Sequence, residues 1–141
     1  MNIKKVKVYI DGYCKGNPGK GGALAVFEIK SGNTFRRDET YEQTTNNRAE
    51  YGALLLALNE IYEEIDWLEN SEIDTKLDVL VYTDSNLIVG HLNKGWKVNK
   101  NHDLVNEAKV LLEKIRKNHT INIDWIPRDE NKAGVKLEND T

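Results

Sequence analysis

The chain has 141 residues, of which 39% are apolar and 30% are charged, and its formal net charge is −3. This composition is typical of a folded globular protein, excludes a fibrous or disordered chain, and predicts one domain over residues 1–141. No apolar run approaches the roughly 20 residues of a membrane span, and the N-terminus lacks a signal-peptide pattern. A single cysteine excludes an internal disulfide and a multi-cysteine zinc site. We therefore expect a cytoplasmic monomer with no membrane partner, which needs local basic patches or bound cations to contact a polyanion.

The first half of the chain predicts a three-strand meander that leads into a long helix. Alternating and β-branched residues mark the strands, and a glycine-rich stretch (GYCKGNPGKGG) and a Ser31-Gly32-Asn33 turn separate them. The predicted strands are Lys5–Asp11, Ala23–Ile29 and Thr34–Gln43. Helical spacing follows, with Thr44 or Thr45 as the cap and an apolar stripe that comprises Leu54, Leu58, Ile61 and Ile65.

The second half of the chain predicts strands that alternate with helices. A polar loop over Asn70–Lys76 precedes LDVLVYT, whose continuous apolar run is typical of a strand buried on both faces. The further predicted elements are the strand Leu77–Thr83, a short helix from Ser85 to about Leu92, a helix that ends near Asn118, the strand Thr120–Ile126 and a last helix over about Glu130–Glu138. This order predicts an α/β fold: a five-stranded mixed sheet, with a three-strand antiparallel meander and two parallel strands, flanked by helices.

Two aspartates stand at strand ends, where open α/β sheets usually place their sites. Asp11 closes the first predicted strand and Asp84 follows the fourth. If these strands pair in parallel, both carboxylates emerge at the same carboxyl edge. A plain turn at Asp11-Gly12 and a helix start at Asp84-Ser85 are the alternatives.

Glu50 lies one helical turn before Leu54 and therefore on the apolar stripe of the long helix. Glutamate is rarely buried without a partner, so it is expected to face a cation. Arg48 is one candidate, as a structural ion pair, and a metal ion is the other. Three converging acids without a counter-charge would repel one another, and Mg²⁺ relieves this because it prefers a few carboxylates, waters and substrate phosphates.

Three segments in this order, IDGYCKGNPGKGGALA, TTNNRAEYGALLLAL and VYTDSNLIVGHLNKGW, resemble the type 1 ribonuclease H family, and WIPRDEN resembles that family's last strand-to-helix junction. The resemblance implies an endonuclease that hydrolyses the RNA strand of an RNA/DNA hybrid and leaves 5′-phosphate and 3′-hydroxyl ends. It also implies two Mg²⁺ ions, with Mn²⁺ as a possible substitute. The family's first three carboxylates fall on Asp11, Glu50 and Asp84.

The resemblance also carries over hybrid-contacting positions. Short amide side chains can reach a shallow minor groove and hydrogen-bond 2′-hydroxyls, and a helix N-terminus suits a phosphate. The matching positions are Gly12, Cys14, Asn17, Thr45, Asn46, Asn47, Asn86 and Trp96, the last with Lys94 and Lys97 beside it. The alternatives are turn glycines, residues that merely start a helix, a packing cysteine and a core tryptophan. Trp67 and Trp125 are assigned to packing.

This sequence departs from the family pattern in three ways. The basic insertion that some members carry after the position of Trp96 is missing. None of the three histidines falls in the loop before the last helix, where Arg128 stands instead, so His91, His102 and His119 are interpreted as surface or capping residues. The expected position of the fourth carboxylate holds a valine.

That valine, Val135, cannot bind a metal, so either another residue supplies the fourth ligand or the protein is catalytically impaired and only binds the hybrid. Asn131, Val135 and Glu138 share one helical stripe, which makes Glu138 the main candidate for the fourth catalytic metal ligand. Asp129 is its competitor, although it could equally cap the helix.

Overall fold

The computed structural model describes the backbone of residues 2–140 and the side chains of residues 2–137. It contains the strands β1 (Asn2–Cys14), β2 (Gly19–Ile29), β3 (Thr34–Thr44), β4 (Thr75–Thr83) and β5 (Thr120–Trp125). The helices are α1 (Asn46–Asn70), α2 (Asn86–Asn93), α3 (His102–Arg116) and α4 (Lys132–Asp140), and a short 3₁₀ turn over Arg128–Glu130 precedes the last helix. Among residues 2–140, none of these helices combines the length and apolar character that a bilayer crossing requires.

The five strands form one mixed sheet in the order β3-β2-β1-β4-β5. The first three strands pair antiparallel as a meander, while β1 pairs with β4 and β4 with β5 in parallel. The predicted five-stranded mixed sheet is therefore confirmed. In the register of the parallel pair Tyr9 lies beside Tyr82, so the aspartates two residues further on, Asp11 and Asp84, leave the sheet at the same edge.

Two apolar layers hold the helices on the sheet. The inner face of the sheet packs on α1 and α3, and the predicted stripe of Leu54, Leu58, Ile61 and Ile65 is buried there. On the outer face, Ala133 and Leu137 of α4 cover Tyr9 and Leu24. The last helix is thereby attached to the sheet beside the edge that carries the two aspartates.

Two predicted boundaries and the predicted burial of β4 differ from the structure. Strand β1 does not end at Asp11, because it stays paired with β2 as far as Cys14, opposite Gly21. Part of the glycine-rich stretch is thus strand rather than turn. Strand β4 buries every second residue fully and leaves the others only partly covered, because α4 spans only part of the outer face. The predicted helix over 130–138 is divided into the 3₁₀ turn and α4.

Gly12 allows α1 to lie directly against β1. A Cβ at this position would stand 2.3 Å from the carbonyl carbon of Ala49 and 2.5 Å from the backbone nitrogen of Glu50. Backbone atoms cannot yield to such a contact, so any side chain at position 12 would push α1 away from the strand. The absence of a side chain here is what brings the Glu50 carboxylate to the edge where Asp11 lies.

We expect Gly12→Ala to lower the free energy of unfolding by about 2–3 kcal/mol, because the added methyl overpacks this contact. Urea unfolding followed by circular dichroism measures the change. Gly32→Ala is the control: nothing lies within 4 Å of that position, and its positive φ of 93° adds only backbone strain, which costs about 1–2 kcal/mol. A loss at position 12 no larger than at position 32 would contradict the close-packing account.

Candidate active site

Three carboxylates from three different elements converge at the carboxyl edge of the sheet. Asp11 lies on β1, Glu50 on the first turns of α1, and Asp84 directly after β4, and one oxygen from each lies within 4.8 Å of the others. Asp11 is fully buried, whereas the other two are partly exposed. The convergence expected from the strand ends and the apolar stripe is therefore present.

Arg48 is not the cation that Glu50 faces. The guanidinium of Arg48 turns away and binds both oxygens of Asp103, at 3.1 and 3.0 Å, and also donates to Asn101. The first of the two candidate partners for Glu50 is thus wrong. The ion pair instead ties the start of α1 to the start of α3, because Arg48 lies on the side of α1 that faces that helix.

Two residues of the last strand-to-helix junction bind the carboxylate cluster of Asp11, Glu50 and Asp84. Arg128 donates from Nη1 to Asp11 Oδ2 at 2.7 Å and to Asp84 Oδ2 at 3.3 Å. Asn131, fully buried, donates from Nδ2 to the Ile10 carbonyl at 2.9 Å and to Asp84 Oδ2 at 3.0 Å. Its Oδ1 accepts from the backbone N–H of Ala133 at 3.1 Å, so the same side chain caps α4 and orients Asp84.

Burial makes the charged state of this cluster costly. Burial, and then the negative charge of Asp11, raise the pKa of Glu50 to about 9. Burial also raises the pKa of Asp11, although the positive charge of Arg128 opposes the shift. One oxygen of each, Asp11 Oδ1 and Glu50 Oε2, is buried without a hydrogen-bond partner. A hydrogen bond between the Glu50 and Asp11 carboxyl groups needs a proton on one of them, so in the charged state these two oxygens mark a place for a cation.

The donor set fits a hard divalent cation. All three groups offer carboxylate oxygens, the ligands that Mg²⁺ prefers, and the two unpaired oxygens belong to two of them. Partial exposure of Glu50 and Asp84 leaves a side open to water and to substrate. The cluster has the composition of a site at which metal ions engage a phosphate ester.

Comparison with known proteins places the chain in a family. The profile of the family described as RNase H matches residues 3–139. Ribonuclease H of Wigglesworthia glossinidia brevipalpis is 34% identical over 131 residues, which cover 87% of this chain and 76% of the relative. Ribonuclease HI of Synechocystis sp. is 33% identical over 135 residues, which cover 86% of this chain and 74% of that relative. This chain belongs to the RNase H family, type 1.

Solved RNase H structures share the fold. The N-terminal RNase H domain of rv2228c from Mycobacterium tuberculosis, solved as a fusion with maltose-binding protein, superposes with a TM-score of 0.79 at 29% identity, covering 97% of this chain and 92% of that one. LC11-RNase H1, solved in complex with an RNA/DNA hybrid, gives a TM-score of 0.74 at 28% identity, with 94% and 92% coverage. The mixed sheet and its flanking helices are thus those of RNase H proteins.

The loop after β1 and the start of α1 form one surface beside the RNase H carboxylate cluster. Asn17 Oδ1 accepts from the backbone N–H of Asn46 at 2.8 Å, which joins the loop to the helix. Thr45 caps α1 by accepting from the Arg48 N–H at 3.2 Å. Asn46 and Asn47 are exposed, as is Asn86 at the start of α2. These amides are thus accessible to a bound strand.

Cys14 and Trp96 combine a packing role with exposure. The Cys14 thiol lies 3.3 Å from the Thr44 carbonyl oxygen and 3.7 Å from that of Gly19, so it helps to hold the loop. Trp96 packs on Gly90, where a Cβ would stand 1.9 Å from a ring carbon, yet the side chain is 47% exposed. Since so much of this indole is exposed, the core-tryptophan alternative is wrong.

Four other predictions for aromatic and histidine residues are corrected. Trp67 and Trp125 are exposed rather than packed inside, and Trp125 donates from Nε1 to the Asp84 backbone carbonyl at 3.2 Å. His91 and His119 are buried, not surface or capping residues: His91 bonds the Tyr51 hydroxyl at 2.8 Å, and His119 accepts from the Leu77 N–H at 3.0 Å. The two histidines can be buried because each has a hydrogen-bond partner inside, which the sequence pattern does not reveal.

Of the two candidates for the fourth metal ligand, the structure describes the side chain of Asp129 but not that of Glu138. Val135 is 39% exposed on α4, and Asp129 lies exposed in the 3₁₀ turn, outside the carboxylate cluster found among residues 2–137. Glu138 belongs to α4, but its side chain lies outside the described residues. Its assignment as a metal ligand of this RNase H therefore stays a prediction.

Proposed function

We propose that this chain is a metal-dependent endonuclease that hydrolyses the RNA strand of RNA/DNA hybrids. The observation that carries the proposal is the cluster of Asp11, Glu50 and Asp84, with two buried unpaired oxygens, at the edge of an RNase H sheet. A relative of similar fold was solved with an RNA/DNA hybrid, which supports that substrate class. We further propose that residues 1–141 act as one catalytic domain.

The residues of the chain would hold and orient the reacting groups. Asp11, Glu50 and Asp84 would bind two Mg²⁺ ions, which would supply an activated water and stabilise the leaving 3′-oxygen, so that the products would carry 5′-phosphate and 3′-hydroxyl ends. Asn131 holds Asp84 in place, and Gly12 brings Glu50 close to Asp11. Mn²⁺ is a possible substitute, because it accepts the same oxygen ligands.

The exposed surface beside the cluster would select the substrate. Asn17, Asn46, Asn47 and Asn86 offer amide groups that can hydrogen-bond 2′-hydroxyls in the minor groove of a hybrid, which distinguishes RNA from DNA. Thr45 stands at a helix N-terminus suited to a phosphate of the DNA strand. Gly12, Cys14 and Trp96 complete the proposed substrate-binding set.

A comparison of matched duplexes tests the substrate class. A hybrid, a double-stranded RNA and a double-stranded DNA of one sequence are incubated with the protein in Mg²⁺, with each strand labelled in turn. The proposal predicts cleavage of the RNA strand of the hybrid alone. Comparable cleavage of either homoduplex would point to a nuclease of the same fold with a different substrate.

Substitution of the two candidate residues tests which of them is the fourth metal ligand. We expect Glu138→Gln to lower hybrid cleavage strongly, by roughly a hundredfold, and Asp129→Asn only mildly, because loss of a direct metal ligand costs several kcal/mol of charge stabilisation. Steady-state cleavage in Mg²⁺ measures both. The double variant Glu138→Gln/Val135→Asp is the matched control, since it restores a carboxylate at the position where the family has one. The reverse ranking of the single variants would refute the assignment of Glu138.

A further inference from the structure

Arg128 places a positive charge at the solvent side of the carboxylate cluster, in contact with two of its three members. Its Nη1 lies 2.7 Å from Asp11 Oδ2 and 3.3 Å from Asp84 Oδ2, so one nitrogen bridges two of the three carboxylates. A guanidinium keeps its positive charge at all physiological pH values. This side chain therefore places a permanent positive charge beside the carboxylates of Asp11 and Asp84.

The space for the guanidinium is provided by the neighbouring residues. Gly134 faces it without a side chain: a Cβ there would stand 3.1 Å from both Cζ and Nη1 of Arg128 and 3.3 Å from Asp11 Oδ2. Asn131 holds the same oxygen of Asp84 that Arg128 contacts. The backbone of α4 and the amide of Asn131 therefore border a space in which the arginine side chain fits between the two aspartates.

The two aspartates and the arginine differ in exposure. The Asp11 side chain is fully buried and that of Asp84 is 14% exposed, whereas the Arg128 side chain is 47% exposed. The guanidinium lies on the solvent side of the cluster, in a short turn rather than within a helix or strand. It can leave the carboxylates by rotation of its own side chain without opening the core.

We infer that Arg128 is a resident cation of this site and competes with divalent metal ions for Asp11 and Asp84. A metal ion that used Asp11 Oδ2 and Asp84 Oδ2 would meet the guanidinium nitrogen at those same oxygens, so binding there would require the side chain to withdraw. The free energy of the two ion pairs is thus subtracted from metal binding. Arg128 thereby raises the metal concentration at which half of the chains hold a metal ion. This inference rests on the metal-binding part of the proposed function.

The test is a calorimetric titration of Mn²⁺ and of Mg²⁺ into the metal-free chain without nucleic acid. Arg128→Gln removes the charge and keeps polar atoms, and we expect it to lower the metal dissociation constant about tenfold, which corresponds to about 1.4 kcal/mol. Arg128→Lys retains a charge but not the planar fork, and we expect an intermediate value. In chelator, the melting temperature of Arg128→Gln should fall below that of the wild type, and saturating metal should remove the difference.

Arg37→Gln is the matched control. Arg37 makes an ion pair with Glu60 at 2.9 Å, between β3 and α1, so the variant loses one positive charge and one carboxylate contact away from the cluster. Its metal affinity should equal that of the wild type.

Metal binding by Arg128→Gln that is equal to or weaker than that of the wild type would contradict the competition. Tighter binding that Arg37→Gln also shows would contradict it as well. If the wild type and Arg128→Gln both bind no metal, the proposed metal-dependent function fails as well. If the wild type binds metal and cleaves hybrid while Arg128→Gln binds no tighter, only the role of Arg128 is wrong.

Discussion

Replacing Asp84 by asparagine should abolish hybrid cleavage and leave the fold intact. Asparagine has the shape of aspartate but no charge, so it cannot neutralise a divalent cation as the carboxylate does. The loss should be on the order of a thousandfold or more in the cleavage rate, about 4 kcal/mol of transition-state stabilisation. Single-turnover cleavage with saturating enzyme measures it, because that experiment separates chemistry from product release.

The control for this variant lies on the same strand. Asp78 lies in the middle of β4, outside the carboxylate cluster, and Asp78→Asn should cleave at the wild-type rate. Circular dichroism should be unchanged for Asp84→Asn, because the side chain keeps the volume that Asn131 and Arg128 contact. Undiminished cleavage by Asp84→Asn would remove Asp84 from the site and with it the proposed mechanism.

Replacing Glu50 by glutamine should stabilise the metal-free protein while it eliminates cleavage. The pKa of Glu50 is raised to about 9 by burial and by Asp11, so the folded state holds a proton that the unfolded state releases above the ordinary value of 4.5. Below pH 4.5 the Glu50 carboxyl group does not reduce the free energy of unfolding of the wild type. As the pH rises from 4.5 toward 9, this free energy falls, because the unfolded state releases the proton and the folded state keeps it. Glutamine carries no such penalty, so at pH 7 we expect Glu50→Gln to be more stable by about 1–3 kcal/mol.

Urea unfolding in chelator between pH 4 and pH 9 measures this gain, which should grow with pH. Glu63→Gln, an exposed position on the same helix, is the control and should change little at any pH. In saturating metal the ranking should reverse, because only the wild type has the full set of carboxylates. A Glu50→Gln protein that is less stable than the wild type in chelator at pH 7 would show that Glu50 is adequately paired without metal.

The sequence predicted the residues at the centre of the site because each stands at an unusual place in a simple pattern. Asp11 and Asp84 stand at the ends of β-branched runs, so sheet topology brings the two aspartates together, and Glu50 leads the apolar stripe that packs α1 on the sheet beside them. The sequence predicted the glycine at position 12 as a hybrid-contacting or turn residue but not its packing role, since the contact that forbids a side chain there is with α1, a distant part of the chain.

The residues that surround the carboxylates could not be predicted in the same way. Arg128 meets Asp11 across 117 positions of sequence, and Asn131 meets the Ile10 carbonyl across 121. No periodicity connects such positions, and a charged residue in a junction is usually solvated. The useful signal was the position of Arg128 before a helix that packs beside the aspartates. The predicted pairing of Arg48 with Glu50 is wrong although the two residues are close in sequence, because the Arg48 side chain points to α3.

The central claim is that this chain turns over hybrid despite the valine at position 135. Purified wild-type protein is incubated with excess RNA/DNA hybrid in Mg²⁺, in Mn²⁺ and in chelator, and hybrid binding is measured in parallel. We expect multiple turnovers in at least one of the two metals, none in chelator, and 5′-phosphate ends on the RNA products. Hybrid binding without turnover in either metal would contradict it and would identify the chain as a catalytically impaired binding module.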